Sequence, residues 1–297
     1  MYARTLCLFI LGAVLGGCAT SQPAGTISAA TLSPPTHSTR DLVSLPPPAG
    51  IISVAVYGMR DQTGQYKPSP DSSFSTSVTQ GAASLLVTAL RDSRWFKPVE
   101  RENLQDLLTE RKIIRALEQP QNTAQVQLPP LRPANLIITG AIVAYESNVR
   151  TGGIGVRYLG VGPSDLYRQD QVTINLRAVD IRTGEVIQSV TTTKTVFSIQ
   201  LDFGIFKFVS LKHLLEVETG LSRNEPVQQC VREAIEAGLI HLIAQGARDG
   251  SWQLKNPDDL KKPLLQGYLQ AYDEVTQSIP ISSSMQGTPE GDNHAVH

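Results

Sequence analysis

Between Ser198 and Arg223 the chain alternates apolar and polar residues in a way that few soluble cores require. Odd positions Ile199, Leu201, Phe203 and Ile205 are apolar, while Gln200 and Asp202 are not. A turn is expected near Phe206–Phe208. After it, Val209, Leu211, Leu215, Val217 and Leu221 continue the odd series against Ser210, Lys212, Glu216 and Glu218. A period of two gives a strand one dry face and one wet face. Four of the seven phenylalanines lie between 197 and 208, as an aromatic girdle at a membrane interface requires. Leu211, Leu214 and Leu215 also satisfy i, i+3, i+4, so an amphipathic helix stays open as the alternative for this segment.

A weaker version of the same pattern runs from 149 to 170. Ile154, Val156 and Tyr158 alternate with Gly155 and Arg157, and Gly162-Pro163-Ser164-Asp165 supplies a turn. The glycines here suggest a phosphate-binding loop, but the templates fail. Counting Gly-x-Gly-x-x-Gly from Gly153 and Gly155 places Tyr158 at the third glycine, and Gly155 and Gly160 are followed by Val161-Gly162 where a P-loop needs Lys and Ser or Thr. Each of the two segments is long enough for a pair of membrane strands of about 10 residues. Open sheet edges are not tolerated in lipid, because each unpaired backbone group there costs several kcal/mol. Two hairpins supply four strands, fewer than the roughly 8 of the smallest membrane barrels. One copy cannot close such a barrel, so several copies are expected to share it.

The N-terminus reads as a lipoprotein signal peptide over residues 1–17: Arg4, the apolar run Leu6–Leu15, then Gly16, Gly17 and Cys18. The run is far shorter than the roughly 20 residues of a bilayer-spanning helix. Leu15-Gly16-Gly17-Cys18 fits a lipobox, making Cys18 the expected lipidation site, and Ala19 in place of Asp favours sorting to the outer membrane. Residues 18–48 are rich in Ser, Thr, Ala and Pro and are expected to form a lipidated tether. Residues 49–281 are expected to form a periplasmic domain carrying hairpins near 149–170 and 198–223, with 282–297 a disordered tail. With Cys7 removed and Cys18 acylated, Cys230 is the remaining cysteine, so no intrachain disulfide is expected. It falls on the apolar side of a helical pattern, as a packed small hydrophobe does. The 26 basic and 27 acidic residues give a formal charge of −1, which argues against nucleic acid as a partner.

The remaining pattern is α/β. Ala82, Leu85, Leu86, Ala89 and Leu90 keep helical spacing; so do Leu104, Leu107, Leu108, Ile114 and Leu117, and then Val227, Val231, Ile235, Leu242 and Ile243. Ile51–Val56 and Asn135–Tyr145 are β-rich. Val172, Ile174, Leu176 and Ala178 alternate, Arg182-Thr183-Gly184-Glu185 turns, and a Thr-rich strand returns from Val186 to Phe197. There is no Gly-x-Ser-x-Gly elbow, no His-Glu-x-x-His and no Cys/His set at zinc spacing. Asp258 and Asp259 are expected to be solvated. An enzyme is not expected, and neither a cofactor nor a metal is.

Four stretches carry a resemblance to a known family. "DQTGQYKPSP" (61–70), "LLVTALRDSRWFKPVERENLQDLLTERKIIRA" (85–116), "YESNVRTGGIGVRYLGVG" (145–162) and "NEPV" (224–227) closely resemble the curli secretion channel family, CsgG, over about Arg40 to Tyr272. The resemblance implies an outer-membrane lipoprotein that assembles as a nonameric homo-oligomer, each subunit giving two transmembrane β-hairpins to one 36-stranded β-barrel, a size that is the largest known and is not read from this chain. It implies passive export of unfolded amyloid (curli) subunits to the cell surface, with a periplasmic capping adaptor and an extracellular accessory factor as partners. The family's pore loop carries a tyrosine, an asparagine and a phenylalanine, which fall on Ser69, Ser73 and Phe74. Only Phe74 is retained, implying a wider and less aromatic constriction. Ser73 or Ser75 could also cap the helix that begins at Ala82. The rival is a lipid-anchored periplasmic binding or assembly module without a pore.

Overall fold

Strand pairing and the packing of one long helix on the sheet account for most of the architecture. A computed structural model describes residues 30–66, 77–117, 128–151, 166–201, 205–209 and 226–278. The elements are α1 (His37–Val43), β1 (Ile52–Ala55), β2 (Met59–Asp61), α2 (Ala82–Asp92), β3 (Phe96–Val99), α3 (Leu104–Leu117), β4 (Leu136–Thr151), β5 (Leu166–Asp180), β6 (Val186–Leu201), β7 (Ile205–Val209), α4 (Pro226–Arg248) and α5 (Pro263–Gln277), with a 3₁₀ turn at Pro257–Lys261. The seven strands form one sheet in the order β3-β1-β4-β5-β6-β7, and β2 lies beside β4. β1 is parallel to β3 and β4, and β2 is parallel to β4. From β4 onward the sheet is antiparallel. The mixed α/β expectation holds.

The core lies between α4 and the sheet. Val172, Ile174, Leu176 and Ala178 of β5 point to one face and are fully buried, while α4 packs across β5 and β6. α4 is buried on more than the single stripe its spacing suggests, with Cys230, Leu239, Ile240 and Ala244 enclosed as well as Val231, Ile235, Leu242 and Ile243. Such a helix is covered on several sides: by the sheet, α1, α2 and α5. The turn between β5 and β6 forms as its residues demand. Gly184 has φ +75°, its N–H donates to Asp180 O at 2.8 Å, and the Asp180 carboxylate accepts from the Arg182 N–H at 2.7 Å.

The tether expected over 18–48 does not extend through residues 36–48. A compact unit begins at Pro35, and residues 36–48 belong to it. Thr36 and Thr39 form a reciprocal capping box that starts α1. Leu42 and Leu45 enter the core. The Trp95 indole N–H donates to Pro46 O at 2.8 Å, and Pro48 pairs with Leu254. The averaged composition of the segment hides two leucines and a cap whose partners lie far along the chain. Cys18 and the tail 282–297 lie outside the described residues.

Three further expectations change. α3 forms where its spacing predicts, yet none of its residues is fully buried, and Ile113, Ile114 and Leu117 are exposed. The N-cap of α2 is Gly81, with no side-chain cap, and the expected caps Ser73 and Ser75 lie outside the described residues. Asp259, expected to be solvated, is buried at the 3₁₀ turn with Lys262 at 3.0 Å, whereas Asp258 is exposed.

α1, α4 and α5 meet at His241. Its ring stands edge-on to Tyr268 with centroids 4.8 Å apart, and the Tyr268 hydroxyl donates to Asp41 at 2.8 Å. Burial, and then Asp41, push the Tyr268 phenol up, while burial holds His241 below its ordinary value of 6.5. As pH falls below about 6.5 the unfolded chain takes up a proton that the folded chain refuses, so stability should decline through that window and level off below the folded value. Urea midpoints from about pH 7 to about pH 5 should therefore fall less steeply for His241→Phe than for the wild type. Equal slopes would place the acid sensitivity elsewhere.

Candidate functional site: the four-stranded extension

β4, β5, β6 and β7 continue beyond the helical layer as one contiguous sheet. β4 and β5 stay paired up to Thr151 opposite Leu166. β5 pairs with β6 up to Tyr167 opposite Ile199, so the hairpin expected near 149–170 is joined directly to the next one. β6 and β7 pair from Phe197 opposite Val209 to Leu201 opposite Ile205. The chain therefore reverses between Leu201 and Ile205, and Phe206–Phe208, where the alternation suggests a turn, lies within β7. The strand that enters the second hairpin, β6, begins at Val186, and its pairing with β7 begins at Phe197. Residues 152–165 and 210–225, which hold the rest of both expected hairpins, lie outside the described residues.

The edges of this extension are its chief property. β1 pairs with β4 at Leu136 and Ile137, and β2 pairs with it from Gly140 to Ile142. From Ala144 to Thr151 the described partner of β4 is β5 alone. At the other end, β7 is the outermost strand. Among the described residues, then, the extension presents two unmatched edges. The opposite border of the sheet is β3, Phe-Lys-Pro-Val, where Lys97 and Pro98 blunt further pairing.

The root of the extension is braced by buried and half-buried polar contacts. Tyr145 donates to Asp170 at 3.1 Å, and Asp170 is fully buried. Lys194 of β6 pairs with Glu233 of α4 at 2.7 Å, and the Thr192 hydroxyl donates to Ala234 O at 2.8 Å. Cys230 sits within this group, its thiol pushed up to about 12, first by burial and then by Asp170, with Glu233 adding to it. Such a thiol is a packing residue and not a nucleophile. Alternation and charge gave no signal for Tyr145, Asp170 or Glu233, since their partners are brought together only by the pairing of β4 with β5 and of β6 with α4.

Ser69, Ser73 and Phe74, the positions expected to line a pore loop, fall in 67–76, outside the described residues. The structure does place the ends of that loop together, since Ser77 N–H donates to Gln65 O at 2.9 Å. No group of His, Cys, Asp and Glu that could hold a metal ion occurs among the described residues, and no described helix is long and apolar enough to cross a membrane.

The sequence profile of the curli production assembly/transport component CsgG matches residues 36–272. The chain belongs to the CsgG family. It is 47% identical over 266 residues to the curli production assembly/transport component CsgG of Escherichia coli (strain K12), covering 88% of this chain and 96% of that one. The Salmonella typhimurium (strain LT2) protein of the same name shows the same identity and coverage. The match begins at Thr36, the residue that caps α1, so the strap formed by residues 36–48 is part of the family's domain. Among solved structures, the PelC dodecamer from Paraburkholderia phytofirmans is 12% identical, covering 70% of this chain and 92% of that one at a TM-score of 0.29, which is too slight to bear on the fold. CsgG is a curli production assembly/transport component and not an enzyme family.

Proposed function

We propose that this CsgG-family chain is one subunit of an outer-membrane channel that passively exports unfolded curli subunits from the periplasm. The observation that carries the reading is the four-stranded extension with unmatched edges on both sides. In lipid those edges need partners, and four strands fall short of the roughly 8 of the smallest barrel. The β7 edge of one copy and the Ala144–Thr151 edge of the next are the available pair, so head-to-tail addition closes a ring. Copy number follows the family resemblance, a nonamer. Acylation at Cys18 anchors each copy in the outer membrane, and the α/β domain stays on the periplasmic side, where a capping adaptor docks; an accessory factor acts outside the cell. Ser69, Ser73 and Phe74 form the narrowest ring, with hydroxyls where larger side chains would narrow it further. No nucleotide is consumed.

The acylated protein, purified from outer membranes, should form rings in electron micrographs and conduct ions in planar bilayers. Ser69→Tyr should lower single-channel conductance by narrowing that ring. Unchanged conductance would remove Ser69 from the constriction, and a protein that neither forms rings nor conducts would be a lipid-anchored module without a pore.

A further inference from the structure

We propose that the β-bulge at Val143 bends the sheet at the point where it leaves the domain and thereby sets how many copies close the ring; this rests on the channel reading above. Ile142 pairs with Ile174 and Ala144 pairs with Thr173, so Val143 has no opposite residue in β5. Its side chain is 40% exposed and adds little to the core. A residue inserted into one strand of an antiparallel pair bends that strand and increases its twist, and such bulges gather at the rims of barrels.

The bulge sits where the surroundings of β4 change. β2 pairs with β4 up to Ile142, and the Gln62 N–H closes that edge on Ile142 O at 2.9 Å. Below Val143 the strand is held on both edges; above it, β5 is its described neighbour. Just above the bulge the Tyr145–Asp170 hydrogen bond and the Lys194–Glu233 ion pair fix β4, β5 and β6 against the domain. A bend introduced between a rigid base and a braced root is passed on to all four strands of the extension. Barrel closure links strand number to tilt and stagger. When every copy contributes the same wedge, the angle of that wedge determines how many copies complete the circle.

Deletion of Val143 isolates this effect, because every pair below and above the bulge keeps its partner and only the unopposed residue is removed. Full-length acylated protein lacking Val143 should give rings with a shifted subunit count in electron micrographs and a matching shift in single-channel conductance, with a far-UV circular dichroism spectrum like the wild type. Rings with the wild-type count and conductance would overturn the proposal and leave the channel reading standing. Wild-type protein without rings or conductance would overturn the channel reading itself. Should the deletion prevent folding, Val143→Gly decides: a bulge kept but softened should broaden the distribution of subunit counts, and one count equal to the wild type's would overturn the proposal.

Discussion

Gly246→Ala is expected to destabilise the domain by about 3 kcal/mol, the upper range for forcing extra volume into a filled core. A Cβ at Gly246 would fall on the Trp252 ring, against Cζ2, Cε2 and Cη2. Trp252 has little freedom to yield. It is 5% exposed, its indole N–H donates to Ile243 O at 2.8 Å, and it meets the Phe96 ring edge-on at 6.2 Å. Moving it also moves the residues that follow. Gln253 O accepts from the Ala49 N–H at 2.8 Å, and the Lys255 N–H donates to Pro47 O at 3.0 Å, so the N-terminal strap shares the strain. For a domain of this size the melting temperature should fall by about 6–12 °C. Gly267→Ala in α5 is the control. Nothing lies within 4 Å of its added methyl group, and replacing an exposed helical glycine should stabilise by up to about 1 kcal/mol. If the two variants melt together, tight packing of Trp252 on α4 is not what holds that corner.

Local pattern sufficed where one element faces one surface. The spacing of Ala82, Leu86, Ala89 and Leu90 placed α2, and the alternation of Val172, Ile174, Leu176 and Ala178 with the Arg182–Glu185 turn placed the β5–β6 hairpin. It failed where an element owes its place to distant partners. α1 is seven residues long with Leu42 as its buried anchor, and the edge strands β2 and β3 are three and four residues long, one with a proline. No periodicity signals segments that short. α5 escaped notice although Leu265 and Leu269 are i, i+4. α3 fails in another manner. Its stripe predicted a helix correctly but carried no information about what would cover it.

The candidate site divides along the same line. That 198–201 and 205–209 are strand was legible, because alternation has a period of two. Its register was not, because a period of two fits several turn positions equally well and the turn decides among them. Asp202 and Gly204, both turn formers, were the available signal for a reversal between Leu201 and Ile205. Direct pairing of β5 with β6 beyond the domain, which turns two hairpins into one four-stranded sheet, could not be read from either segment alone.

Glu236→Ala should produce the other large loss, about 3 kcal/mol, with a local signature. The carboxylate is 4% exposed and accepts from Thr36 Oγ1 at 2.5 Å, from Thr39 Oγ1 at 2.8 Å and from Arg232 Nε at 2.9 Å. Removing a buried partner costs about 3–5 kcal/mol; because the Arg232 side chain is 20% exposed, water can compensate part of its charge, which favours the lower figure. Glu236→Gln keeps the volume and one acceptor oxygen, so about 1–2 kcal/mol is expected. The carboxylate's hydrogen bonds to the two threonines fasten residues 36–39 to α4, and the strap is the covalent route from Cys18 to the domain. Limited trypsin digestion should therefore cut the Ala variant at the exposed Arg40 well before the wild type, while far-UV circular dichroism stays nearly constant because α4 keeps its apolar neighbours. Equal resistance at Arg40 would mean that Leu42 and Leu45, buried on the same strap, hold it to the domain without the carboxylate.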